Sequence, residues 1–147
     1  MKKSILIWTV LLISATSFSF ANTTNDDSNA NAKTSFKKDF ENASDVKWET
    51  THTLIKAIFK LGDKIINAYY SKEGNLVAMT RNILSTDLPI TKQISLAKDY
   101  KGYWITDLFE MSINNETSYY VTIENADYKL TLKSEGNDWN EYKKESK

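Results

Sequence analysis

Phe36-Lys-Lys-Asp-Phe40-Glu-Asn-Ala43-Ser-Asp-Val46-Lys-Trp48 changes period halfway along. Phe36, Phe40 and Ala43 recur at i, i+4 and i+7, the spacing of one helical face, with Lys37, Lys38 and Glu41 outside it. Val46 and Trp48 then alternate with Lys47 and Glu49, the period of a half-buried strand. A second stretch repeats the switch. After Leu88-Pro89, Ile90, Ile94 and Ala97 share a helical face, Gly102 stands where a helix would end, and Tyr103-Trp104 opens a new strand. The chain reads as one unit written twice.

Working outward from those helices, strand patterns fill the rest. In the first half, Ile55, Ala57, Phe59 and Leu61 alternate with Lys56 and Lys60, and Gly62-Asp63 turns the chain. Lys64 to Ser71 forms the next strand, with its register left open because Ile65, Ile66, Tyr69 and Tyr70 do not alternate. Lys72-Glu-Gly-Asn75 supplies a hairpin turn before Leu76 to Ile83. In the second half, strict alternation from Tyr103 to Ile113 places Ile105, Phe109 and Met111 on one side and Trp104, Thr106 and Leu108 on the other. Tyr119, Val121 and Ile123 alternate with Ser118, Tyr120 and Thr122. Tyr128, Leu130 and Leu132 alternate with Lys129, Thr131 and Lys133, and Trp139 to Tyr142 makes a closing edge. The expected fold is α+β, a tandem α-β-β-β repeat forming a mostly antiparallel curved sheet, with two short helices on one face and an open, concave second face.

The chain starts with Met1-Lys2-Lys3, an apolar run from Ile5 to Ile13 too short to span a bilayer, and Ser19-Phe20-Ala21 with small residues where a signal peptidase cuts. Residues 1–21 are therefore expected to be a signal peptide, leaving a periplasmic or secreted protein with no membrane span after cleavage. Asn22 to Lys33 has no large apolar residue to bury and is expected to be a disordered leader. Thr34 or Ser35 would cap the first helix, and 34–147 would be one domain. Lys and Arg balance Asp and Glu at 19 each, and losing Lys2 and Lys3 tips the remainder slightly acidic. That is not the clustered positive charge of a nucleic-acid binder. With no cysteine in 147 residues, an exported domain of this size must rely on its core and sheet rather than on disulfides.

The residues Phe36-Lys-Lys-Asp-Phe40-Glu-Asn-Ala43, Val46-Lys-Trp48, Ala68-Tyr-Tyr70 followed by Gly74, Val77-Ala78 with Arg81, Leu88-Pro89 and Tyr100-Lys-Gly-Tyr-Trp104-Ile105 together resemble the PepSY-like family, small exported bacterial domains also described as similar to β-lactamase-inhibitor proteins. The likeness runs over essentially all of the expected mature chain. It implies a tandem helix-plus-sheet domain whose concave sheet face can grip another molecule. The matching residues are core and turn positions and encode no chemistry of their own.

Catalysis finds little support. His52 is the one histidine, and no serine or cysteine nucleophile stands in a recognisable relay with it. One histidine without cysteine does not make a zinc site, calcium-loop and phosphate-loop patterns are missing, and no cofactor is expected. Asp107 and Glu110 fall on one strand at an odd spacing, which turns them to opposite faces. The aromatic residues carry more information. Trp48, Tyr100, Tyr119 and Tyr128 are expected in the core, whereas alternation sends Trp104, Tyr120 and Tyr69 to the open face beside Leu108, Thr122, Lys129, Thr131 and Lys133. Exposed aromatics in a polar surround are typical of protein-binding surfaces. The expected function is a non-enzymatic module that binds an extracytoplasmic protein or peptide there, with inhibition of an extracytoplasmic hydrolase as one form of it. A small hydrophobic-ligand sensor or carrier is the alternative.

Overall fold

Eight antiparallel strands follow one another across a single open sheet in chain order, and both helices lie against the same side of it. The computed structural model describes residues 26–147, so the signal peptide expected over 1–21 lies outside the described residues. The first half consists of α1 (Asp26–Asp39), β1 (Ser44–Thr50), β2 (Ile55–Leu61), β3 (Lys64–Tyr70) and β4 (Leu76–Asn82). After a 3-10 turn at Ser85–Asp87, the second half consists of α2 (Ile90–Asp99), β5 (Trp104–Ile113), β6 (Glu116–Glu124), β7 (Tyr128–Glu135) and β8 (Asp138–Ser146). The α+β class, the duplication and the open face are as the sequence led one to expect. The repeat unit is α-β-β-β-β, one strand longer in each half than the α-β-β-β unit.

Each half has its own core between helix and sheet. Under α1, Ala32 and Phe36 meet Ile55, Ala57, Phe59, Ala68 and Tyr70, with Phe40, Ala43, Trp48, Ile66 and Met79 at the margin. Under α2, Leu88 and Leu96 meet Leu108, Val121, Ile123, Leu130, Leu132 and Trp139, bordered by Ile83, Tyr100, Tyr103, Tyr119 and Tyr128. The alternation read in β2, β6 and β7 is the one observed. In β3, whose register was open, Ile66, Ala68 and Tyr70 turn to the helices while Ile65, Asn67 and Tyr69 turn away.

Two helix readings are corrected. Of the disordered leader expected over 22–33, residues 22–25 lie outside the described residues and 26–33 are the first half of α1, and Thr34 lies inside the helix, its hydroxyl donating to the Ala30 carbonyl at 2.9 Å rather than capping it. Small residues anchor this segment. Ala32 is fully buried, and the Asn31 backbone sits against the β3–β4 turn so closely that a Cβ on Gly74 would lie 2.9 Å from its carbonyl. In α2 the expected inward stripe is the outward one. Ile90 and Ile94 are 66% and 59% exposed, while Leu88, Lys92 and Leu96 form the docked face. Lys92 can occupy that face because its stem is packed and its ammonium has partners. It donates to the Gly136 carbonyl and lies over the rings of Tyr119 and Trp139. Trp139 in turn donates its indole N–H to the Lys92 carbonyl at 3.1 Å. Burial holds the Lys92 ammonium below its ordinary pKa.

Candidate functional site on the uncovered sheet face

The face turned away from both helices is organised in rows by strand register. One row contains Lys60 and Ile65 in the first half; across the seam Asn82 of β4 pairs with Phe109 of β5, and in the second half Phe109 pairs with Tyr120, Tyr120 with Lys133 and Lys133 with Asn140. The next contains Asp107, Thr122, Thr131 and Lys143, and the outermost contains Trp104, Glu124, Lys129 and Glu145. The face is thus a lattice of aromatic, threonine and charged side chains concentrated on β5 to β8.

Tyr120 forms the centre of this lattice. Its ring stacks on Phe109 at 5.1 Å and 6° between planes, meets Tyr142 edge-on at 5.7 Å, and lies under the Lys133 ammonium at 5.8 Å. Such contacts cover it, and Tyr120 is only 5% exposed. Thr122, with its hydroxyl 3.3 Å from that of Thr131, is likewise buried. Tyr120 and Thr122 are therefore the floor of the face, and Phe109, Tyr142 and Lys133 are the groups standing on it.

Trp104 holds the far corner and is 51% exposed. It sits opposite Glu124 in the register, and the Lys147 ammonium lies 5.0 Å above its ring while pairing with Glu124 at 2.7 Å. Lys129 reaches the same carboxylate at 3.8 Å. The hydrogen bond from Lys147 holds the Glu124 carboxyl below the usual carboxylate range. The corner is an exposed indole framed by an ion-paired triad.

Trp104, Tyr120, Thr122, Lys129, Thr131 and Lys133 share the uncovered face within the second half. Tyr69 is also on that face but belongs to the first half, paired with Lys56 and Ala78 on neighbouring strands. It lies toward the opposite corner from Trp104. Leu108 is not on this face, which corrects the reading from strict alternation. A bulge between Ile105 and Asp107 inserts Thr106 as an unpaired residue, its hydroxyl donating to the Thr122 carbonyl at 3.3 Å, and reverses the side of everything after it. Leu108 is therefore buried under α2, and Phe109 and Met111 join Trp104 on the open side. Phe109 was missed for that reason. Tyr142 was missed because it is the extra residue of a second bulge, between the pairs Thr131–Lys143 and Leu132–Glu141.

The groups weighed for catalysis are dispersed. Asp107 faces the open side and Glu110 the helix side, where Glu110 is bound to Arg81. His52 is exposed in the connection between β1 and β2. Among the described residues no three His, Cys, Asp or Glu side chains come together to hold a metal ion, and no helix is long and apolar enough to cross a membrane.

No protein-family model and no curated protein matches this chain. Solved structures do. A BLIP-like protein from Bacteroides fragilis superposes with a TM-score of 0.68 at 18% identity over 79% of this chain and 84% of its own. A DUF2874 family protein from Bacteroides ovatus gives 0.70 at 16% identity, covering 80% and 86%. A Bacteroides eggerthii protein provisionally described as periplasmic gives 0.69 at 8% identity, covering 80% and 87%. The chain shares the fold of the BLIP-like and DUF2874 proteins.

Proposed function

We propose that this protein is an exported, non-enzymatic binding module that holds a protein or peptide on the uncovered face of β5 to β8, around Trp104, with Tyr142, Phe109 and Lys133 as neighbouring contacts. The observation that carries this reading is the half-exposed Trp104 indole at the edge of an aromatic and threonine lattice on a face left free by both helices. Tryptophan and tyrosine contribute large contact area at low entropic cost, and commonly dominate binding energy where they stand on a rigid floor. Tyr120, Thr122 and Thr131 supply that floor, and Lys129 and Lys133 the polar rim. The fold it shares with a BLIP-like protein supports a proteinaceous partner, and restraint of an extracytoplasmic hydrolase is one form such binding would take. The export segment read at 1–21, together with a structural neighbour provisionally described as periplasmic, supports a location outside the cytoplasm.

The test is cross-linked affinity capture from the cell envelope with the unmodified protein and with a Trp104→Ala/Tyr142→Ala form, beside Ile94→Ser as a control on the helix side. Loss of a captured protein from the double variant alone is the expected result. Equal capture by all three would overturn the assignment of the face.

A further inference from the structure

A recess of about 340 Å³ lies on the helix side between α1 and the edge strand β1. Phe36, Phe40 and Trp48 form its apolar wall, with Phe36 5.4 Å from Phe40 and edge-on to Trp48 at 5.2 Å. Ala43 and Val46 complete the apolar part. Phe36 is buried, but Phe40, Ala43 and Trp48 are only partly so, and the core's aromatic margin continues outward into the recess instead of being sealed. Among the described residues α1 ends at Asp39 and β1 has no strand beyond it, so none of the described elements closes this side.

The rim is charged unevenly. Lys33 and Lys37 are one helical turn apart on α1, both exposed, and neither is joined to a carboxylate among the described residues. Among the described residues Glu41 is the one carboxylate lining the recess. An apolar, aromatic trough with two unneutralised ammonium groups along one lip complements a ligand with an apolar body and an anionic head. The volume is at the low end of ligand pockets, which run from about 300 to 1,000 Å³, and so suits a single medium-length chain rather than a bulky cofactor.

We propose that this recess binds an amphiphilic carboxylate, the chain lying against Phe36, Phe40 and Trp48 and the carboxylate between Lys33 and Lys37. The proposal is independent of the sheet-face reading, since it concerns the other side of the sheet and the other half of the repeat.

The protein would be titrated with sodium dodecanoate below its micelle concentration while the indole N–H resonances are followed by NMR, that of Trp48 being assigned by its loss in Trp48→Phe. A saturable shift of the Trp48 indole with a still Trp104 indole is the expected result. The Lys33→Gln/Lys37→Gln form, checked by its unchanged amide spectrum, should bind about tenfold more weakly, the size expected for losing two exposed ion pairs. Dodecanol, which lacks the charge, should be weaker by a similar factor. A Trp48 signal that does not move, or Trp48 and Trp104 signals that drift together without saturation, would overturn the site. Equal affinity in the double-glutamine form would overturn the carboxylate.

Discussion

Arg81 and Glu110 form a two-pronged ion pair across the seam between β4 and β5, with Nε to Oε1 at 2.5 Å and Nη2 to Oε2 at 3.0 Å. They are direct partners in the strand register and stand on the helix side, between the core of one half and the core of the other. β4 and β5 are the strands through which the duplicated halves join, so this pair fastens one repeat to the next. Both side chains are about a quarter exposed, 27% and 25%, which places the pair between a surface bridge and a buried one.

Removing one partner leaves the other charge poorly solvated at the seam. Glu110→Ala is expected to cost about 2 kcal/mol, below the range of about 3–5 for a fully buried pair. Replacing both residues with apolar ones, as in Arg81→Met/Glu110→Leu, is expected to restore more than half of that, because no charge is then stranded. Urea midpoints of the three proteins check this, and equal midpoints for Glu110→Ala and the unmodified chain would remove the pair from the account.

Tyr120 and Trp104 lie on one face but are expected to answer differently to truncation. Tyr120 is covered by Phe109, Tyr142 and Lys133, so Tyr120→Ala should cost about 3 kcal/mol, as large-to-small changes of buried aromatics do. Trp104→Ala should change stability by less than about 1 kcal/mol, since half the indole already meets water. Thermal unfolding of the two variants distinguishes a floor residue from a contact residue, and a large loss on Trp104→Ala would make it a structural group.

Gly74 and Gly62 both have left-handed φ, +87° and +65°, yet a Cβ at Gly62 would meet open space while one at Gly74 would strike the Asn31 backbone. Gly62→Ala should cost about 1 kcal/mol for backbone strain alone. Gly74→Ala should cost at least twice as much and loosen the N-terminal turns of α1. Hydrogen exchange at the α1 amides follows that loosening directly, and equal costs at both glycines would mean that α1 yields without resistance.

Tyr70 gives the alkaline behaviour a sign. Its hydroxyl donates to Asp39 at 3.3 Å, and burial first, then the Asp39 charge, raises the phenol far above its ordinary value. Above a pH of about 10, where an unfolded tyrosine ionises, the unfolded state sheds a proton that the folded state keeps. Stability from this group is therefore fully present below that value and declines as pH rises beyond it. Tyr70→Phe should flatten the decline between about pH 10 and 12, read from urea midpoints at successive pH values. An unchanged slope would assign alkaline unfolding to other groups.

Much of the fold could be read directly from local pattern. Strands such as β2 and β7 have one wetter face, and their apolar and polar residues alternate accordingly. The α2 docking face could not be read this way, because the helix is apolar on two sides and the lysine on the docked side carries its polar end to Gly136. The first half of α1 was hidden for a related reason, since Ala32 is buried as a small residue and Asn31 makes its contact through its backbone against Gly74, neither of which a large apolar side chain would mark.

The candidate site divides in the same way. Composition and alternation were enough to single out Trp104, Tyr120, Thr122, Thr131 and the lysines of β7 as residues of an open face. Which of them are floor and which are contact, that Leu108 lies on the other side, and that Phe109 and Tyr142 join them all follow from two bulges and the stacking they permit. A strand's period is a property of neighbouring residues and is written in the sequence. A bulge is set by how two strands match their hydrogen bonds across the sheet, and burial by what lies above the residue, so only the assembled tertiary structure decides them.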